Sequence, residues 1–164
     1  MACAGLSFFE DKLDPEFRKK EPIDRILDLA LEMMEYSNSI LIGGMERIKI
    51  KIGIHFGPCI FGLIGYHKPQ FSLIGDTINT TSRHCTTGPE RCIIISDRAK
   101  NLVSDKTINF DLIMADMKGK GLVRTFVLNI DEVEKIRTLR KENKRTDSII
   151  HSDVIFNKNL GFGF

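Results

Sequence analysis

The sequence has no apolar run approaching the roughly 20 residues needed to span a bilayer. Met1 to Phe9 has neither a basic leading segment nor the length of a secretory signal, so the chain reads as soluble, without direct membrane contact. Charge of one sign is also missing. Basic side chains number 24 against 22 acidic, and the formal charge of +2 is too small to gather nucleic acid or an anionic membrane by a broad field. Any phosphate affinity must then be local. No Cys-x-x-Cys pair occurs among Cys3, Cys59, Cys85 and Cys92, which lie among apolar or helical residues and read as reduced, buried thiols of a cytosolic protein. His55, His67, His84 and His151 lack the i, i+4 or Cys-paired spacing of a zinc site. Paired aromatics on a strand, which stack bases in single-stranded RNA recognition, are absent too.

What remains is ordinary globular material: 42% hydrophobic and 28% charged residues exclude collagen-like, coiled-coil and wholly disordered chains. A domain of this size buries about 70% of its unfolded surface and needs no staples.

Met1 to Leu6 reads as the end of a strand, and the charged stretch from Glu10 to Glu21, broken by Pro15 and Pro22, as a loop. Ile26, Leu27, Ala30, Leu31 and Met34 fall on one face of a helix that starts near Ile23 and stops before Gly43 and Gly44. Arg47 to Phe56 alternates basic residues with isoleucine, as a strand with one buried face does, so Lys49 and Lys51 read as solvated edge residues. Two apolar runs follow, Cys59 to Ile64 and Phe71 to Ile74. Asp76 then stands in position to cap a helix that reaches about Thr86 and closes at Gly88 and Pro89. Arg91 to Ser96 reads as a strand, Ser96 to Val103 as a capped short helix, and Asn109 to Met114 as a strand. A Gly-rich turn from Met117 to Gly121 leads into a last strand, Val123 to Leu128. Together these describe an α/β (α+β) sandwich, with helices packed on a mixed sheet, over residues 1–130. Residues 131–164 read as a polar, basic linker or tail.

Asn79 and Arg83, four apart, emerge on one helix face. An amide beside a guanidinium suits a sugar and a phosphate, because the planar fork donates two bonds at once and stays charged. Lys118 and Lys120 leave a turn whose glycines let the backbone approach an anion. The turn is not a nucleotide-binding P-loop, since Leu122 follows Gly121 where Gly-Lys-Ser/Thr chemistry is required.

The blocks Ile50–Pro58, Gly62–Gly65, Gly75–Arg83 and Met117–Gly121, followed by Arg124-Thr125-Phe126, resemble the catalytic domain of class III nucleotidyl cyclases, most nearly the guanylyl branch. The resemblance covers Met1 to about Asn129. It implies a ferredoxin-like domain, incomplete at its N-terminus, that pairs head to tail with a second catalytic domain as a homo- or heterodimer. GTP, or alternatively ATP, would be cyclised by attack of the ribose 3′-hydroxyl on the α-phosphorus. The resemblance further implies that Asn79 orients the ribose, Arg83 stabilises charge on the α-phosphate, and Lys118, with Lys120 on the same turn, neutralises the phosphates. Ser72 stands at the base-reading position. Two Mg2+ or Mn2+ ions are implied, with both metal-binding aspartates expected upstream of Met1, so the isolated chain is expected to be inactive. A non-catalytic partner half remains an alternative. A cytoplasmic location is implied, within a parent protein that could be tethered to a membrane.

Overall fold

The computed structural model describes residues 1–10 and 12–143. Two short helices come first, α1 (Ser7–Glu10) and α2 (Pro15–Arg18), then the long α3 (Pro22–Ser39). A two-stranded hairpin, β1 (Leu41–Ile42) with β2 (Glu46–Arg47), precedes β3 (Lys51–Ile54). A second hairpin pairs β4 (Ile60–Ile64) with β5 (Gln70–Ile74) and is followed by α4 (Asp76–Thr87). Then come β6 (Cys92–Ser96), α5 (Asp97–Leu102), β7 (Asp111–Met117), β8 (Gly121–Asn129) and a helix, α6, over 130–143.

The main sheet runs β3-β6-β8-β7, with β3 parallel to β6 and the other pairs antiparallel. Its two faces are read off β6: Ile93 and Ile95 join the larger core, while Cys92 and Ile94 point the other way into a smaller one. This is the period-two alternation of a strand covered on both sides. The larger core gathers Leu27, Leu31 and Met34 of α3, Ala99 of α5 and Val133 of α6 onto Ile54, Phe126 and Leu128. Each large side chain buried there contributes about 1.5–3 kcal/mol of transfer free energy.

On the opposite face α4 crosses from β3 to β6 at very short range. A Cβ on Gly53 would stand 2.5 Å from the Cys85 amide nitrogen and 2.7 Å from the Thr81 carbonyl oxygen, so only glycine lets the helix lie on this strand. Gly88 has the same role at the far end, where a Cβ would meet Ile94 at 2.3 Å. The Cys85 thiol donates to the Lys51 carbonyl at 3.4 Å and adds a direct tie.

Several readings of the sequence are corrected. Met1 to Leu6 is not a strand, and Gly5 N donates instead to Glu10 Oε1 at 2.8 Å. The expected loop before α3 contains α2, started by Asp14, whose carboxylate accepts from Glu16 N at 2.8 Å with Pro15 just inside the helix. The strand expected from Arg47 to Phe56 is split, because β2 folds back on β1 through Gly43 and Gly44, and Lys49 pairs with Glu46 and Glu90. The strand expected from Asn109 starts at Asp111 and runs on to Met117. Of the four thiols, all free, only Cys92 is buried and Cys3 is exposed.

The expected linker begins as α6. Asn129 Oδ1 accepts from Glu132 N at 3.0 Å, an N-cap, and Val133 and Ile136 enter the core. The basic residues that made the segment look like a tail are paired across α3: Arg140 with Asp28 at 2.6 Å, Lys141 with Glu35 at 2.7 Å, and Arg137 also with Glu35. The rest of the expected tail, 144–164, lies outside the described residues. Among the described residues no helix is long and apolar enough to cross a membrane.

Replacing Gly53 with Ala is expected to destabilise the protein by about 1–3 kcal/mol, because both obstructing atoms are backbone and cannot swing aside. A urea midpoint equal to the parent's would show that α4 is not seated this closely.

Candidate active site

The start of α4 is set by two contacts with the loop after β3. Gly75 has φ 147°, and a Cβ there would crowd the Pro58 carbonyl oxygen at 3.3 Å, so glycine alone suits the position. Thr77 Oγ1 donates to the same carbonyl at 2.6 Å. Asp76 does not cap the helix as expected: the N-cap is Gly75, which has no side-chain bond. The Asp76 carboxylate reaches instead to the β7–β8 turn, where Oδ2 pairs with Lys120 Nζ and also accepts from Thr80 Oγ1 at 3.2 Å. The hydrogen bond from Lys120 holds the Asp76 carboxyl below the usual carboxylate range, and the Thr80 hydroxyl and the Arg83 charge act the same way.

One turn along α4 is Asn79, exposed, and one further is Arg83, half-buried. Arg83 Nη1 lies 3.6 Å from where a Cβ on Gly119 would stand, which puts the guanidinium against the turn carrying Lys118 and Lys120. The amide of Asn79, the guanidinium of Arg83 and the ammonium of Lys118 make no hydrogen bond or ion pair among the described residues. Lys120 is the paired member of the set. The structure thus brings α4 and the 118–120 turn together.

Ser72 is separate. It sits partly buried on β5 opposite Gly62, and its hydroxyl donates to the Gln70 carbonyl of its own strand at 3.4 Å. A Cβ on Gly62 would meet nothing within 4 Å, so the ladder is open beside Ser72. A cavity of about 650 Å³ borders Gly57, Pro58, Ile78, Thr81 and Arg98 but includes none of Asn79, Arg83 and Lys118.

Sequence reasoning missed the layer beneath the cations. His84 follows Arg83 on α4 and is 1% exposed, stacked on His55 with ring centroids 5.7 Å apart. His55 Nδ1 is 2.8 Å from Ser96 Oγ, whereas His84 Nδ1 has no partner among the described residues. Burial foremost, then His55 and Lys120, push His84 down to about 4, so it stays neutral at physiological pH. Burial also lowers His55, helped by Lys120 and Arg98 and opposed by Asp76. The available signal was the i, i+4 spacing of Thr80 and His84, the two buried polar residues of α4.

No group of three or more His, Cys, Asp or Glu side chains able to hold a metal ion occurs among the described residues. Asp76, the carboxylate beside the cations, is already occupied by Lys120 and Thr80, so the residues present do not form a metal site.

Residues 1–130 match the family of adenylate and guanylate cyclase catalytic domains, and the chain belongs to that family. Guanylate cyclases are among its curated relatives. Guanylate cyclase alpha of Plasmodium falciparum is 47% identical over 83 residues, covering 50% of this chain and 2% of the relative. The receptor-type guanylate cyclase gcy-2 of Caenorhabditis elegans is 33% identical over 126 residues, covering 72% of this chain and 11% of the relative. Among solved structures, the guanylate cyclase domain of RhGC from Catenaria anguillulae, in complex with GTP, superposes with a TM-score of 0.58 at 32% identity. That match covers 65% of this chain and 58% of the other. A dimeric guanylyl cyclase domain from the RhoGC fusion protein of Blastocladiella emersonii gives a TM-score of 0.54 at 26% identity, covering 65% and 58%. The chain spans a small fraction of its curated relatives' length. The mixed sheet with helices on both faces is the fold of these cyclase domains.

The histidine layer has a pH signature. Because His84 titrates lower folded than unfolded, its contribution is present above about pH 6.5 and is lost as pH falls toward about 4, up to about 3 kcal/mol in all. Urea midpoints are expected to drop over that window and to drop less in His84→Met. Identical pH slopes for parent and variant would remove His84 from the acid response.

Proposed function

We propose that this chain is part of a guanylyl cyclase catalytic domain, converting GTP to cyclic GMP and pyrophosphate. The observation that supports it most strongly is the set of polar head groups, Asn79, Arg83 and Lys118, that have no hydrogen-bond or ion-pair partner among the described residues and lie where α4 meets the β7–β8 turn. In this reading Asn79 orients the ribose by hydrogen bonding, which keeps the 3′-hydroxyl in line with the α-phosphorus. Arg83 donates to the α-phosphate oxygens as charge develops there, an interaction stronger in the transition state than in the bound substrate. Lys118, in the cationic field it shares with Lys120, neutralises the departing pyrophosphate. Family members are generally metal-dependent, and no group of three or more His, Cys, Asp or Glu side chains able to hold such ions occurs among the described residues.

Ser72 is assigned to the base edge. Its hydroxyl can donate or accept and does not repel guanine O6 as a carboxylate would, which favours GTP over ATP. Pro58 after Gly57 resembles receptor guanylyl cyclases and points the same way.

The cyclase portion is assigned to residues 1–130. Asn79 and Lys118 are exposed and Arg83 is half-buried, so a second wall is needed to exclude water from the reaction. The β4–β5 hairpin supports a second catalytic domain as its source, in a head-to-tail pair. Ile60 and Leu63 are each 75% exposed there, with Phe71 and Ile74 about half exposed. A cytoplasmic catalytic domain fits the same reading, and the receptor-type relatives favour a membrane-tethered parent.

In the intact cyclase that contains this segment, Arg83→Ala is expected to lower kcat by about a hundredfold or more while moving nucleotide KM much less. Arg83→Lys should recover little, lacking the planar fork. A variant within about threefold of the parent's turnover would remove Arg83 from the mechanism.

The parent is expected to prefer GTP in competing-substrate kcat/KM. Ser72→Asp, combined with an adenine-accepting change at the other base-reading position, should shift the ratio toward ATP by at least about tenfold, or about 1.4 kcal/mol. A ratio indifferent to position 72 would take that residue off the base edge.

A further inference from the structure

Lys118 and Lys120 leave the same three-residue turn but end in different surroundings. Lys118 is exposed and has no ion-pair partner among the described residues, while Lys120 folds back to α4, its side chain 30% exposed against 71% for the Asp76 side chain it meets. The same Asp76 oxygen also takes the Thr80 hydroxyl, so the carboxylate is anchored one helical turn along α4. The turn is closed at its base by the Met117–Gly121 ladder pair. Gly119 (φ 75°) and Gly121 (φ 68°) are both left-handed, and a Cβ on Gly121 would meet nothing within 4 Å. Its own tie is Lys120 N donating to the Met117 carbonyl at 2.8 Å. Among the described residues, the Lys120–Asp76 pair ties it to α4, and the Arg83 guanidinium lies beside Gly119.

We propose that the Asp76–Lys120 ion pair is a positioning clasp that holds the β7–β8 turn against α4, so that Lys118, not Lys120, meets the phosphates beside Arg83. This rests on the reading that Arg83 and Lys118 act on a nucleotide's phosphates. An exposed ion pair adds little to global stability, so the effect of the clasp lies in placement. It has an electrostatic side as well: a bare Asp76 carboxylate would repel an incoming polyphosphate, and Lys120 cancels that charge. Lys120 is thereby a positioning residue, as is Asp76.

The test is a double-mutant cycle of Asp76→Asn and Lys120→Met in the intact cyclase, with kcat, nucleotide KM and amide exchange of Lys118–Lys120 as readouts. Each single variant is expected to lower kcat about tenfold, to change KM less than about threefold, and to speed exchange at the turn. The double variant should be no worse than the more affected single. The proposal is overturned if Lys120→Met raises KM about tenfold while Asp76→Asn does not, since Lys120 would then be a phosphate ligand. It is also overturned if the two effects are independent, or if neither variant alters exchange or turnover. Failure of the underlying site reading looks different: Lys118→Met and Arg83→Ala would leave turnover at the parent level, while the exchange readout would still report whether the clasp holds the turn.

Discussion

The contact on which the site depends is the one between two backbones, α4 lying on β3 where Gly53 has no side chain. A helix carrying Asn79 and Arg83 could be displaced by a single methyl group at that point, because Cys85 N and Thr81 O leave no room for it. Seated there, α4 presents its first turn to the Pro58 carbonyl and the middle of its length to the 118–120 turn. Placement of the polar head groups is therefore inherited from packing on the sheet. A loop alone would fix them less sharply.

Beneath the cations the protein keeps a neutral layer. His84 and His55 stack between α4 and the end of β3, and Lys120 adds to the burial that disfavours charge on both. A cationic imidazole here would be buried near the Lys120 charge, with no partner for His84 Nδ1 among the described residues. Above this layer Asp76 pairs with Lys120, while Arg83 and Lys118 have no ion-pair partner among the described residues.

Much of this was legible in the residues. The period of α3, the isoleucines of β6 and the glycines around Lys118 each gave the right element, because local chemistry and burial agree there. The pairing of Asn79 with Arg83 followed from helical spacing alone. Other features were hidden because they depend on distant partners. Asp76 reads as a cap until Lys120, 44 residues away, is seen to take its carboxylate. The basic residues of α6 read as a tail until Asp28 and Glu35 of α3 are placed beside them; the apolar spacing Ile130, Val133, Ile136 behind the Asn129 cap was the signal to follow. For His84 the i, i+4 spacing with Thr80 was the signal present, but its significance comes from burial, which the spacing does not show.

The central claim is that packing of α4 on β3 delivers Arg83 and Lys118 together to a nucleotide's phosphates, with Lys120 held aside. A crystal structure of the intact catalytic domain bound to a non-cyclising GTP analogue tests it most directly. The geometry predicts phosphate oxygens within hydrogen-bonding distance of both Arg83 and Lys118, with Lys120 still on Asp76 and α4 still seated over Gly53. A nucleotide whose phosphates lie on Lys120 and away from Arg83, or one bound elsewhere on the domain, would contradict it.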